Sequence, residues 1–362
     1  MKTNLSLLEN LRIVWAITRK DLTDAVKNKN ILTILLSALF VVAVYKYLPQ
    51  LTAEEGPPKL LVYDPGNTQF MADLEADPAV DVYTYDSLAD MQYYLTNGEV
   101  PELGFVIPPD IDSRADSGES IQFQGYALEI FKDEEVFNLE RAMETEFESI
   151  LGGPVDIRIE RLPLQPETYG VTVMVGLGFV FVTLMVGMLV IPHMMIEEKQ
   201  AKTLAALMVS PARSGHILAS KTLTGLIYTL GMLLITVGLN WNLILQKWLF
   251  LVTGILGALF AIGIGLMLGI LIDSRQQLTL WGWVAIIPLF IPIILALLDD
   301  LIPPLWVKIF TWLPGTALFR AFRTAMAASA TSDYYAPQLA LVAACALVLL
   351  VVDGGLIRRL EH

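Results

Sequence analysis

Six long apolar stretches organise this chain, at roughly Ile31–Leu48, Tyr169–Pro192, Ile217–Leu239, Trp248–Ile272, Leu280–Leu298 and Gln338–Val352. A hydrocarbon core ~30 Å thick demands about 20 consecutive apolar residues of a helix that crosses it. Buried helices of water-soluble proteins are usually shorter and keep a polar face. All six stretches therefore read as membrane spans. The basic lead-in to the first is long and no small-x-small cleavage pattern follows it, so it reads as a retained anchor.

The pattern between the spans changes period. Residues 5–28 repeat every 3.6 positions: Leu8, Leu11, Trp15, Leu22, Ala25 and Val26 share one face, interrupted by Arg19, with Lys20 and Lys27 to one side. Such a helix suits the headgroup plane, its bases toward anionic membrane lipid, or packing on its own protein. After the first span, Lys59–Tyr63, Val80–Tyr85, Leu103–Ile107, Ile121–Tyr126 and Val155–Glu160 predict short strands rich in β-branched and aromatic residues. Ser87–Asn97 predicts a capped helix ending before Gly98, and Phe131–Leu151 a longer one stopped by Gly152, Gly153 and Pro154.

The fold class expected is an α-helical polytopic membrane protein with six transmembrane helices and an inserted extracytoplasmic α/β domain. Residues 1–29 form a cytoplasmic amphipathic interfacial helix, 30–49 the first transmembrane helix and 50–168 the α/β domain. Residues 169–362 hold the other five spans, with a cytoplasmic loop at 193–216 and an outer segment of short helices at 299–337. In that segment Leu305–Trp312 and Ala317–Ala328 are too short to span and predict interfacial or re-entrant helices. Pro288 and Pro292 each remove a backbone donor from the fifth span and predict a bend there.

Charge sharpens this division. The 362 residues are 55% hydrophobic and 17% charged, with a mean hydropathy of +0.58, too apolar for an ordinary soluble protein. The net charge of −13 hides a split: residues 51–168 hold 26 Asp and Glu against 6 Lys and Arg, and the remainder holds 11 against 18. So acidic a block argues against nucleic acid as a partner. Bases cluster between Arg12 and Lys29, at Lys199, Lys202, Arg213 and Lys221, at Arg275, and at Arg358 and Arg359. Placing them all on one side satisfies the positive-inside rule, with both termini cytoplasmic in a cell inner or plasma membrane and the acidic block outside.

Candidate chemistry is sparse, and no catalytic residue emerges. Cys345 stands alone in an apolar run, which rules out an intrachain disulfide and a cysteine-based metal site. His193, His216 and His362 have no metal-ligand spacing, so no metal is expected. Gly215 to Thr222 approaches a phosphate-binding loop but carries Ser220 where the second glycine belongs. It reads instead as a helix start with Lys221 at the membrane interface. Asp299, Asp300, Asp353, Glu197 and Glu198 all fall near span ends, so the midplane charges of a proton- or sodium-driven carrier are missing. Gly257, Ala261, Gly265 and Gly269 recur every four residues on the fourth span and make a groove for close helix packing, inside the subunit or against another copy.

The segment from Ile196 to Arg213 carries the most specific signal. A charged helix start leads into an apolar turn with Leu204, Leu207 and Met208 on one face, and Ser210 can cap a new helix with Pro211 at its first position. A short helix of this kind suits docking into a partner's groove, or rests on lipid headgroups. Glu197-Glu198-x₄-Thr203-Leu204-x₂-Leu207-x₂-Ser210-Pro211, with Lys221 opening the next span, resembles the inner loop of ABC-2 type exporter permeases. The amphipathic first helix, the large insert after the first span and the Leu313-Pro314…Arg320…Arg323 segment extend the resemblance over nearly the whole chain. Gln200-Ala201-Lys202 departs from the family's usual acid-and-glycine lead into Thr203.

The resemblance implies a permease that pairs with a second permease copy and docks separate ATP-binding cassette ATPase subunits. Glu197, Glu198, Thr203, Leu204, Leu207, Ser210 and Pro211 would then form the surface that receives the ATPase stroke, with the amphipathic helix touching the ATPase as well. ATP and its magnesium would sit on that partner, so no cofactor is expected on this chain. The α/β domain would shield the exit or meet an extracytoplasmic accessory protein. Apolar, uncharged spans point to hydrophobic or amphipathic cargo. The alternative is a membrane-anchored receptor or assembly factor whose outer domain binds a ligand.

Overall fold

Ser6 opens the first helix with a capping box: its hydroxyl accepts from the Glu9 amide at 3.3 Å, and the Glu9 carboxylate accepts from the Ser6 amide at 2.7 Å. The structure is a computed structural model that describes residues 6–52, 57, 59–97, 102–117, 119–164, 171–201, 214–298, 301–328 and 330–359. It divides into two units, one formed by Met1–Tyr45, Val175–Ala325 and Ala330–His362, the other by Lys46–Met174 and Met326–Ser329.

The helical unit begins with α1 (Leu7–Lys27) and α2 (Lys29–Thr52), which meet at a 77° bend. Asn28 makes that corner. Its extended backbone ends α1, and its side-chain oxygen accepts from the amides of Asn30 at 2.9 Å and Ile31 at 3.4 Å to cap α2. Five further helices are long and apolar enough to cross a membrane: α7 (Val171–Gln200), α8 (Ser214–Leu239), α9 (Lys247–Leu271), α10 (Arg275–Leu297) and α13 (Ser332–Arg359). The bent α1–α2 pair is the sixth candidate. A short 3₁₀ turn at Trp241–Leu243 separates α8 from α9.

Burial sorts these helices. The most apolar window of α7 is 83% buried, against 22% for α10 and for α13, so α7 is the central post. Helices α10 and α13 turn Trp281, Val284, Ile287, Leu347 and Val351 outward. Apolar side chains in that quantity match a lipid or protein surface rather than water. Helix α10 runs on through Pro288 and Pro292. Between these prolines the Leu289 carbonyl approaches Gly315 so closely that a Cβ there would collide with it. Gly315 belongs to α12 (Pro314–Met326), which follows α11 (Pro304–Thr311). Leu318, Ala321, Phe322 and Ala325 of α12 are all buried, and Arg320 donates to the Tyr334 hydroxyl at 3.2 Å.

The stripe on α9 faces α7. A Cβ on Gly265 would lie 2.7 Å from the Gly187 carbonyl oxygen, and one on Gly187 would lie 2.6 Å from the Ala261 Cβ. Gly269 is closed off by Pro192 and Met195, and Gly257 by Thr183 and Leu318. Small residues here let two helix backbones approach to contact.

The second unit is an α/β structure inserted between α2 and α7. Its strands β1 (Lys59–Tyr63), β2 (Asp81–Thr84), β3 (Leu103–Val106), β4 (Ile121–Leu128) and β5 (Val155–Leu162) form one sheet in the order β2-β1-β3-β4-β5. Neighbours pair in parallel except β3 with β4. Helices α3 (Gln69–Glu75), α5 (Ile111–Ser117) and α6 (Asp133–Leu151) share one core, centred on Phe70, Phe105, Phe123 and Phe147. The Phe147 ring lies within 5.4 Å of the other three centroids. Helix α4 (Leu88–Thr96), capped by Ser87, brings Met91 and Leu95 against Gly104 of β3, where a larger residue would meet them.

Candidate functional site

Three consecutive residues at the C-terminal end of α7 each tie it to different elements. Glu197 accepts from Arg275 of α10 at 2.7 Å and from the Asn28 amide at the α1–α2 corner. Glu198 accepts from Lys20 of α1 at 3.2 Å and lies 2.8 Å from the Lys221 ammonium of α8. The Lys199 ammonium donates to the Ile270 and Ile272 carbonyls at 2.8 and 3.0 Å and to Asp273 at 2.8 Å. It thereby satisfies carbonyls that the end of α9 leaves open, with its charge at the favourable end of the helix dipole. Successive helix residues point about 100° apart, which is how three neighbours reach different elements.

The centre of this junction is enclosed by protein. Lys221 is fully enclosed and stands 2.9 Å from Asp21 of α1, itself 1% exposed, as well as beside Glu198. Burial pushes the Asp21 carboxyl above its ordinary value; Lys221 opposes that rise and the Glu198 charge adds to it. For Lys20, burial works against the charged form, but the Glu198 carboxylate outweighs it and raises the ammonium's pKa. Hydrogen bonds extend the seam along α1: Tyr228 donates to the Leu22 carbonyl at 2.9 Å, and His216 and Asn10 meet at 2.7 Å.

This arrangement changes the sequence expectation in one respect. Gly215–Thr222 is helix, but Lys221 is not an interfacial lysine: it is sealed inside as the shared cation of two carboxylates. Helix α1 leaves most of its apolar stripe uncovered and buries Ala25 of it. Ile17, Thr18, Asp21 and Ala25 face the protein, while Leu8, Leu11, Trp15 and Val26 are 55–70% exposed. The inward face is mixed, with Asp21 reaching Lys221, while Arg12, Arg19, Lys20 and Lys27 stay exposed along with Leu8, Leu11, Trp15 and Val26.

Of the seven residues expected to receive the ATPase stroke, Glu197 and Glu198 are described and both are engaged within the chain. The Glu197 side chain stays 38% exposed and that of Glu198 only 9%. Thr203, Leu204, Leu207, Ser210 and Pro211 lie outside the described residues. Sequence reading missed Asn28, Asp21 and the joint role of Lys20, Lys199, Lys221 and Arg275. Apart from Lys221, which the resemblance singled out, these bases were visible only as an excess of positive charge. Among the described residues no group of three His, Cys, Asp or Glu side chains could hold a metal ion.

A bundle of long apolar helices with buried charges confined to their ends defines a multi-pass membrane protein. Over residues 29–352 the chain matches the family described as ABC-2 family transporter protein, and it belongs to that family. No curated protein and no solved structure matches it.

Proposed function

We propose that the chain is the permease subunit of an ATP-driven ABC-2 type exporter, acting with a second permease copy and with separate ATP-binding cassette subunits. Membership of the family over residues 29–352 supports this reading. The observation that carries its mechanism is the junction of Glu197, Glu198 and Lys199, which stands at the base of the 193–216 loop and grips α1, α8, α9 and α10. In this reading both termini and the loop are cytoplasmic, and the α/β unit lies on the exit side of a cell membrane. An ATPase pressing on the loop and on the uncovered stripe of α1 moves the end of α7. Ion pairs held at low dielectric resist stretching, so α1 and α8 move with it.

Co-expression with a cassette ATPase tests this. The purified permease alone should hydrolyse no ATP, and the complex should do so with cargo stimulation. Glu197→Lys combined with Leu204→Asp should abolish stimulation or assembly; intact assembly and coupling in that variant would remove the loop from the mechanism. A receptor or assembly factor would move nothing across reconstituted vesicles with any ATPase supplied.

A further inference from the structure

One buried carboxyl of the helical unit takes no part in the junction. Asp353, near the C-terminal end of α13, is 0% exposed, and neither of its oxygens has a hydrogen-bond partner. The helices packed most extensively on α13 are α9 and α8. Gly263 of α9 sits against Leu349, one turn before Asp353, and Leu218 of α8 sits against the adjacent Gly354.

No charge from these neighbours is turned toward it among the described residues. The titratable side chains of α8 are His216, Lys221 and Tyr228, and each is directed to α1, at Asn10, Asp21 and the Leu22 carbonyl. Helix α9 carries only Lys247, at its far end, with the ammonium 4.5 Å from the Trp241 ring centroid. On α13 itself Arg358 and Arg359 are exposed, Cys345 is half-buried two turns earlier, and Asp333, Tyr334 and Tyr335 belong to the opposite end. Among the described residues a carboxylate ion held there would have no counter-ion and no donor.

We propose that Asp353 is a proton-binding site that links the packing of α13 on α8 and α9 to pH. The packed arrangement holds the neutral acid. Separation of the helices admits water, the carboxyl O–H bond breaks heterolytically, its electron pair stays on the Asp353 oxygen and the proton passes to water. Packed-and-protonated then exchanges with open-and-ionised, so rising pH favours opening.

The test uses the permease alone in lipid nanodiscs, so its outcome is separate from whether an ATPase docks at the loop. Infrared difference spectra at neutral pH should show a protonated-carboxyl band that Asp353→Asn abolishes, although water-exposed carboxyls ionise near pH ~4. Amide protection in the last turns of α13, corrected for intrinsic exchange, should fall about tenfold per pH unit in the wild type. It should stay constant in Asp353→Asn and in Asp353→Leu, the second variant guarding against an asparagine that disturbs packing. An unchanged carboxyl band in Asp353→Asn, or wild-type protection that is flat with pH, overturns the proposal.

Discussion

In the α/β unit Arg158 faces Asp156 at 3.8 Å with 70% and 57% of the two side chains exposed, whereas in the helical unit Lys221 stands 2.9 Å from Asp21 with 0% and 1% exposed. Both are ion pairs on paper, but water decides what each contributes. Exposed pairs exchange one set of solvated contacts for another and add about 0–1 kcal/mol. A sealed pair has already lost its hydration, so removing one member strands the other. The α/β unit holds most of the acid in the chain, yet its described core is apolar and aromatic. The helical unit is more sparsely charged along its length and places several of its charges inside. Abundance and structural importance of charge therefore run in opposite directions in the two units.

The comparison can be broken by mutation. Lys221→Met should have the largest effect, about 3–5 kcal/mol, because it strands the enclosed Asp21 carboxyl and leaves Glu198 with Lys20 alone. Thermal unfolding of the purified protein would register it, and adding Asp21→Asn and Glu198→Gln to the same chain should recover much of the loss. If the triple variant is worse than the single one, the junction stabilises by attraction beyond the desolvation it suffers. Phe147→Ala should cost a comparable amount, about 3–5 kcal/mol, by emptying the ring cluster of the α/β unit. Protease sensitivity mapped along the chain should rise between residues 59 and 164 and not in the spans.

A smaller effect isolates backbone conformation. Gly152 ends α6 at φ +69°, with nothing within 4 Å of where a Cβ would stand. Gly152→Ala should therefore cost about 1 kcal/mol through the left-handed conformation alone. Hydrogen exchange at the end of α6 would show it as faster local opening. At the bottom of the scale, Arg158→Ala should leave unfolding unchanged, and a clear loss there would mean that exposed pairs matter more in this unit than the comparison allows.

Much of the fold was legible in the sequence wherever its cause is local. Ser87 caps α4 and Gly152 stops α6 where the turn residues indicated, and β1 spans Lys59–Tyr63 as its short apolar run predicts. The two helices that went unread, α3 and α5, have seven residues each. Thr68 caps α3 locally by accepting from the Met71 amide, but Asp112 at the start of α5 also accepts from the amides of Gln69 and Phe70 at 2.8 and 3.1 Å, a support from more than 40 positions away. No window of neighbouring sequence contains that signal.

The sequence by itself determined that the chain enters a membrane, because a run of apolar residues long enough to span leaves its backbone no alternative to a helix in lipid. It also determined the family, the acidic insert and the position of the charged segment at Glu197–Lys199. What these charges hold was decided only by the tertiary structure. Asp21 and Lys221 are 200 residues apart and acquire their meaning only when α1 and α8 seal them from water. Asp353 reads in sequence as one more polar residue at a span end, and only the packing of α13 leaves it buried without a partner. Solvation is a property of the assembled neighbours, so the worth of a charge is not written at its own position.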